Sequence, residues 1–292
     1  MADNNEVPEG RLKTPYPSRF SRPSGTGPIR SICLSAMNRW ATLISPSGAD
    51  HGIASVFCQY LGLDVLCGPR GLAGAADALY HNNGDGSFTD VTQTAGLVTS
   101  IYLGWGTGFA DFDNDGFLDL FVANGHIYPE IDRLGVGTKY LERKLVYQNL
   151  GNGRFADVTE RIGGAFLIEK SSRGAAFGDY DNDGHTDVAI VNLNDRPSLL
   201  RNDGGNRNRW LTLRLAGTKS NRDAIGARVQ AVVGGMSLSA EVRSGGSYIS
   251  QNDSRVHFGL GRVTPRSSAW RFSGRAGSCK LSTMSPRTVS SE

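Results

Sequence analysis

The sequence predicts an all-β chain whose middle consists of repeated sheets, with unfolded segments at both ends. Three observations carry this. A block from Leu79 to Thr92 recurs from Val146 to Thr159, so that Tyr80 returns as Tyr147. A second block, Gly108 to Leu120, returns as Ala176 to Val188. The apolar runs between turns are short and rich in Val, Ile, Leu and Phe, and no helical stripe accompanies them. The composition agrees: of 292 residues, 39% are hydrophobic and 20% charged, with 38 Gly and only 4 Cys. Such a chain is too apolar for general disorder and too poor in cysteine for a disulfide scaffold. It has no apolar run of about 18 residues, so no membrane span is expected.

Taken in order, residues 1–50 hold six of the 11 prolines and no sustained periodicity. They cannot bury enough apolar surface to offset their ordering entropy, and a disordered or non-native segment is expected. The acidic, polar start shows no basic n-region or apolar h-region of a secretory signal. Residues 51–205 are the repeats. Leu118–Asn124 and Thr186–Asn192 read as buried strands, and Asn83-Gly84-Asp85-Gly86 supplies the positive φ of a tight hairpin before a strand opened by Phe88. A period near 67 suits one four-stranded blade with its loops. The expected architecture is therefore a partial β-propeller of two to three blades, the third starting from a degenerate copy at Leu199–Gly205. In residues 206–262 the alternation of Leu211, Leu213 and Leu215, then Val229, Ala231 and Val233, predicts a small β domain built on a two-stranded unit around the Gly217–Ala227 loop. Residues 263–292, with eight Ser and no acid before Glu292, read as a low-complexity tail.

The formal net charge of +3 conceals strong polarity along the chain. Residues 77–195 hold 18 acids and eight bases, whereas residues 196–292 hold five and 16. Eight of those 18 acids lie in two short loops. Asp111, Asp113, Asp115 and Asp119 occupy positions 1, 3, 5 and 9 of the first, with Gly116 at position 6; Asp179, Asp181, Asp183 and Asp187 repeat the pattern around Gly184. Four carboxylates within nine residues repel one another unless a cation lies among them. Odd spacing turns them inward, and the carbonyls of Phe117 and His185 at position 7 can complete the shell. Hard, oxygen-only ligation of this kind suits Ca²⁺. It is not an EF-hand, because position 12 is Val122 or Ile190 instead of Glu, between strands instead of helices. A solvated acidic turn is the bland alternative, weakened by two copies in register.

These Asp-x-Asp-x-Asp-Gly loops, with the Tyr-x-Asn-x-Gly-x-Gly-x-Phe turns, resemble the FG-GAP/VCBS repeats of integrin-α-like β-propellers. Asn208–Ala227, Glu241–Tyr248 and His257–Gly261 look like successive blocks of the ASPIC/UnbV domain. The combination is similar to bacterial relatives of cartilage acidic protein, as are Cys67–Leu72 and Asn124–Glu130. Family members carry further blades, usually behind a secretory signal, and continue the last domain through a Trp-Pro-Ser-Gly strand of which Ala269–Gly274 is an echo. The expectation is a chain incomplete at both ends. The resemblance implies an extracellular or cell-envelope protein, calcium-binding and non-catalytic, that engages protein or glycan partners.

Other candidates are weaker. The basic ends lack interleaved aromatics, so no nucleic-acid partner is expected. Cys58 and Cys67 could pair in an oxidising compartment. Asn221, Arg222 and Asp223 could touch a ligand, though a packed β domain is the plainer reading. Gly104-Trp105-Gly106-Thr107-Gly108 leads into a strand and carboxylates, the wrong setting for phosphate. No nucleophile elbow, P-loop or zincin motif is present. His126, Tyr128 and Glu130 could serve acid–base chemistry, so the alternative function is a calcium-dependent carbohydrate-active enzyme, a polysaccharide lyase or hydrolase on a propeller scaffold.

Overall fold

A computed structural model describes residues 56–58, 65–67, 78–83, 88–97, 102–218, 221–262, 269–273 and 279–286. The N-terminal segment 1–50 lies outside these. Everything described is strand, turn and loop except two 3₁₀ turns at Pro129–Arg133 and Gly164–Leu167. The chain is all-β.

The first repeat forms a four-stranded antiparallel sheet of β1 (Val56–Cys58), β2 (Val65–Cys67), β3 (Ala78–Asn82) and β4 (Phe88–Asp90). The second forms another from β5 (Gly104–Ala110), β6 (Asp119–Asn124), β7 (Leu145–Asn149) and β8 (Phe155–Asp157). The third stops at three, β9 (Ser172–Gly178), β10 (Asp187–Asn192) and β11 (Ser198–Leu200). The hairpins close where the turn glycines require it: Asn149 pairs with Phe155 across Gly151 and Gly153, whose φ values are 75° and 76°. Cys67 lies opposite Val56 and Cys58 opposite Val65 in the β1–β2 register, so the two cysteines are not a directly opposed pair.

Sheets stack face to face, as in a partial β-propeller. β6 is buried on both faces: Leu120 and Val122 meet Leu79 and Leu97 of the first repeat, while Phe121 and Ala123 meet Ala175, Phe177, Val188 and Ile190 of the third. β10 has a similarly apolar sequence but only one covered face, since Ala189 and Val191 are exposed beside Leu199. The glycine run of β5 serves this stacking. A Cβ on Gly106 would lie 2.5 Å from the Ala175 amide nitrogen, and one on Gly108 would lie 2.4 Å from the Phe177 ring.

The C-terminal unit departs from the two-stranded expectation. β12 (Arg209–Gly217) and β13 (Arg228–Val233) do not pair with each other. β12 lies between β15 (Val256–Gly261) and β17 (Cys279–Pro286), and β13 lies between β14 (Met236–Glu241) and β16 (Ala269–Ser273). The alternating residues read from the sequence do share one core, because Leu211, Leu213 and Leu215 pack with Val229, Ala231 and Val233 across the two sheets. Apolar alternation identifies a covered face but not which strand supplies the hydrogen bonds. Two of these partners, β16 and β17, lie within residues 263–292, the stretch read from composition as a tail. Asn221 shapes its own loop, its side chain bonding both the N–H and the carbonyl of Ile225.

A buried lysine lies in the second repeat. Lys144 has no appreciable exposure, and its Nζ donates to the Ile168 carbonyl at 2.7 Å. Burial, reinforced by Lys170 and opposed by Asp195, lowers its pKa from 10.5 to about 8. The unfolded chain therefore binds more protons between those values, and stability is expected to rise with pH from about 8 to 10.5. Urea midpoints across that range check this; Lys144→Met should remove the rise, and a rise that survives the substitution contradicts the assignment.

Candidate metal centre

Each aspartate loop is shaped by its own carboxylates. In the first, Asp111 accepts the N–H of Asp115 (3.1 Å) and of Gly116 (2.9 Å), and Asp115 accepts that of Phe117 (2.8 Å). In the second, Asp179 accepts the N–H of Asp183 (3.1 Å) and of Gly184 (3.0 Å), and Asp183 accepts that of His185 (2.8 Å). Position 9 closes both turns: Asp119 takes the N–H of Phe112 and Asn149, as Asp187 takes those of Tyr180 and Asn202. The last bond in each pair ties the loop to the next hairpin of its repeat. Positions 4 and 6 are left-handed in both copies, with φ of 59° and 97° at Asn114 and Gly116, and 61° and 87° at Asn182 and Gly184. Asn and Gly are the residues that tolerate this conformation.

Oxygens of Asp111, Asp113 and Asp115 lie within 4.8 Å of one another, and so do those of Asp179, Asp181 and Asp187. Each set can hold a metal ion. Asp119 and Asp183 stand outside these trios, so the two loops gather different members of the same pattern. Phe117 and His185 follow the loop glycines as expected; the Phe117 ring is partly exposed and lies over Gly151, whereas the His185 ring is buried against Gly204.

The electrostatics fit a hard cation. Burial, opposed by the Gly116 N–H and reinforced by Asp115, Asp119 and Asp113, raises the Asp111 carboxyl to about 8. Burial likewise raises Asp119 to about 7. Burial also raises Asp115, Asp179 and Asp187; only Asp179 has a nearby base, Arg255, acting in the opposite direction. Buried carboxyls of this kind must hold a proton or a cation at neutral pH. The donor set is oxygen only, with no thiolate or imidazole nitrogen in either trio.

The C-terminal unit sits on the outside of these loops, a feature the sequence did not signal. Gly261 N–H donates to the Asn114 carbonyl at 2.8 Å. The side-chain amides of Asn206 and Asn208 donate to the Asp113 carbonyl, and Arg255 donates to the Asp179 carbonyl and to Asn182 Oδ1. Gly259 is pressed against the first loop, where a Cβ would lie 1.9 Å from Asp111 Oδ2. A second strip of contact runs along β9 and its neighbour β5: the Phe177 N–H donates to Asn252 Oδ1 at 3.2 Å, the Phe177 carbonyl accepts the Asp253 N–H at 2.9 Å, and Trp105 meets Tyr248 edge-on at 4.9 Å.

The acid–base candidates are placed differently. His126 is buried, its Nδ1 accepts the Tyr128 N–H at 3.1 Å, and its carbonyl accepts from Ser171 and Arg173. Burial lowers its pKa. It braces the loop that leaves β6, and Glu130 is exposed.

Known proteins match along the same lines. Residues 63–122 and 140–190 match the FG-GAP-like repeat model, and residues 217–269 match the ASPIC and UnbV model. The chain is 25% identical to human cartilage acidic protein 1 over 232 residues, which covers 63% of this chain and 35% of that protein. It is 24% identical to the Xenopus tropicalis protein of the same name over 267 residues, 69% of this chain and 41% of the relative. The chain thus spans well under half the length of these relatives.

Proposed function

From a chain that carries FG-GAP-like repeats ahead of an ASPIC and UnbV domain, we propose a calcium-binding, non-catalytic repeat protein that binds protein or glycan partners outside the cell or in the cell envelope. The observation that carries the calcium reading is the pair of aspartate loops of one sequence pattern, each gathering three carboxylates in an oxygen-only cluster. Loops with few ligands and no bidentate Glu suit the millimolar calcium of extracellular modules. The name of the relatives, cartilage acidic protein 1, supports the same compartment. Among the described residues no helix is long and apolar enough to cross a membrane.

Partner binding rests on surface shape. The open face of the third sheet presents Val191 and Leu199, both more than half exposed. A cleft of about 410 Å³ lies between the loops and the C-terminal unit, walled by Asp111, Asp179, Arg243, Arg255 and Asp253. The non-catalytic reading is supported by His126, whose Nδ1 already accepts a backbone N–H.

Calorimetric titration is expected to find two Ca²⁺ per chain, and none in the Asp113→Ala/Asp181→Ala double variant. Absence of heat in the parent chain removes the calcium reading. Incubation with anionic polysaccharides should release no new unsaturated or reducing ends; their appearance would turn the assignment to a lyase or hydrolase.

A further inference from the structure

The two loops are about 70 residues apart in sequence, yet one side chain joins them. Asn114, at position 4 of the first loop, is fully buried. Its Nδ2 donates to the Gly184 carbonyl at 2.9 Å and lies 3.2 Å from His185 Nδ1, both in the second loop. Its Oδ1 lies 2.7 Å from His257 Nε2 on β15, and His257 Nδ1 lies 3.1 Å from the Thr212 hydroxyl. A single set of protons satisfies every atom. Thr212 donates to His257 Nδ1, His257 Nε2–H donates to Asn114 Oδ1, and the two amide hydrogens of Asn114 serve Gly184 and His185. Trp210 stacks over His257 at 6.1 Å, and a Cβ on Gly184 would lie 1.7 Å from Trp210, so the assembly has little room to shift.

The equivalent residue of the second loop does not play this part. Asn182 has the same left-handed backbone but is exposed, and among the described residues its side chain is held at Oδ1 by Arg255. Local turn geometry therefore explains why both positions are Asn, but not why the first is buried between two loops and a strand.

We propose that the two aspartate loops take up their cations as a coupled pair, with Asn114 as the coupling residue and His257 as its clamp. The inference rests on the cation reading above. Asn114 holds the Gly184–His185 peptide, which immediately precedes the position-7 carbonyl of the second loop. When the first loop is ordered, Asn114 stands where it fixes that peptide; when its carboxylates repel and the loop opens, the hold is lost. By linkage the second loop acts equally on the first. Asn114 is a positioning residue and not a ligand.

The experiment is calcium titration of the full chain and of Asn114→Gly, followed by calorimetry. Glycine keeps the left-handed backbone and removes only the side chain. The parent should bind two ions with a Hill coefficient above 1. Asn114→Gly should still bind two, independently, with the affinity for whichever ion binds second reduced by about five-fold or more, the lower end of common coupling strengths. His257→Ala should weaken the coupling in the same direction. A parent that titrates as two independent sites overturns the coupling while leaving calcium binding intact, and needs no variant to fold. Cooperativity that persists in Asn114→Gly also overturns it. A parent that takes up no calcium fails earlier, at the cation reading itself.

Discussion

Chelating calcium should lower the thermal midpoint of the chain by roughly 10–20 °C. A ligand that binds only the folded state contributes about 2.7 kcal/mol at 100 times its Kd. Two such sites give about 5 kcal/mol, and each kcal/mol moves the midpoint by about 2–4 °C in domains of 150–250 residues. The destabilisation has a definite location. Without a cation the carboxyls of Asp111 and Asp119 retain raised pKa values, to about 8 and about 7, so ionising them at neutral pH is costly. Loop opening would then release the contacts made by Gly261, Arg255 and His257 from outside. The Asp113→Ala/Asp181→Ala variant should melt at the chelated midpoint whether or not calcium is present. Equal midpoints for the parent with calcium and with chelator would falsify the structural role of the ion.

Phe121→Ala should cost about 3–5 kcal/mol, the range for removing a buried aromatic side chain. Phe121 has no exposure, and its ring meets Phe177 at 5.6 Å and Phe166 at 6.5 Å, both edge-on. It comes from the strand covered on both faces, so a cavity there loosens the contact between the second and third sheets. Val191→Ala, on the open face of β10, is the matched control and should change stability by well under 1 kcal/mol. Urea unfolding of the two variants distinguishes them. Similar losses would mean that the outer face of the third sheet is covered in solution.

Much of the fold was legible because it is written locally. The hairpin at Asn149–Phe155 follows from glycines that accept positive φ. The aspartate loops follow from carboxylates two, four and five residues away from the N–H groups they accept. What was not legible depends on distant partners. The two loops share one spacing, yet Asp115 joins Asp111 and Asp113 in the first trio, whereas Asp187 joins Asp179 and Asp181 in the second. Nor could the sequence place His126, whose carbonyl accepts from Ser171 and Arg173 more than 40 residues along the chain.

The sequence by itself determined the all-β class, the repeat period, the two turns that gather carboxylates and the residues of the C-terminal core. These depend on side-chain alternation and on hydrogen bonds between near neighbours, which any chain with those residues forms. Only the tertiary structure decided that β6 is covered twice and β10 once, that β12 and β13 face each other instead of pairing, and that residues 269–273 and 279–286 complete their sheets. It alone decided that Asn114 is buried between two loops while Asn182, identical in its turn, is exposed. The physical reason is the same in each case. Alternation states that a face is apolar, and a turn states which way a backbone bends, but neither specifies what arrives from 70 or 140 residues away.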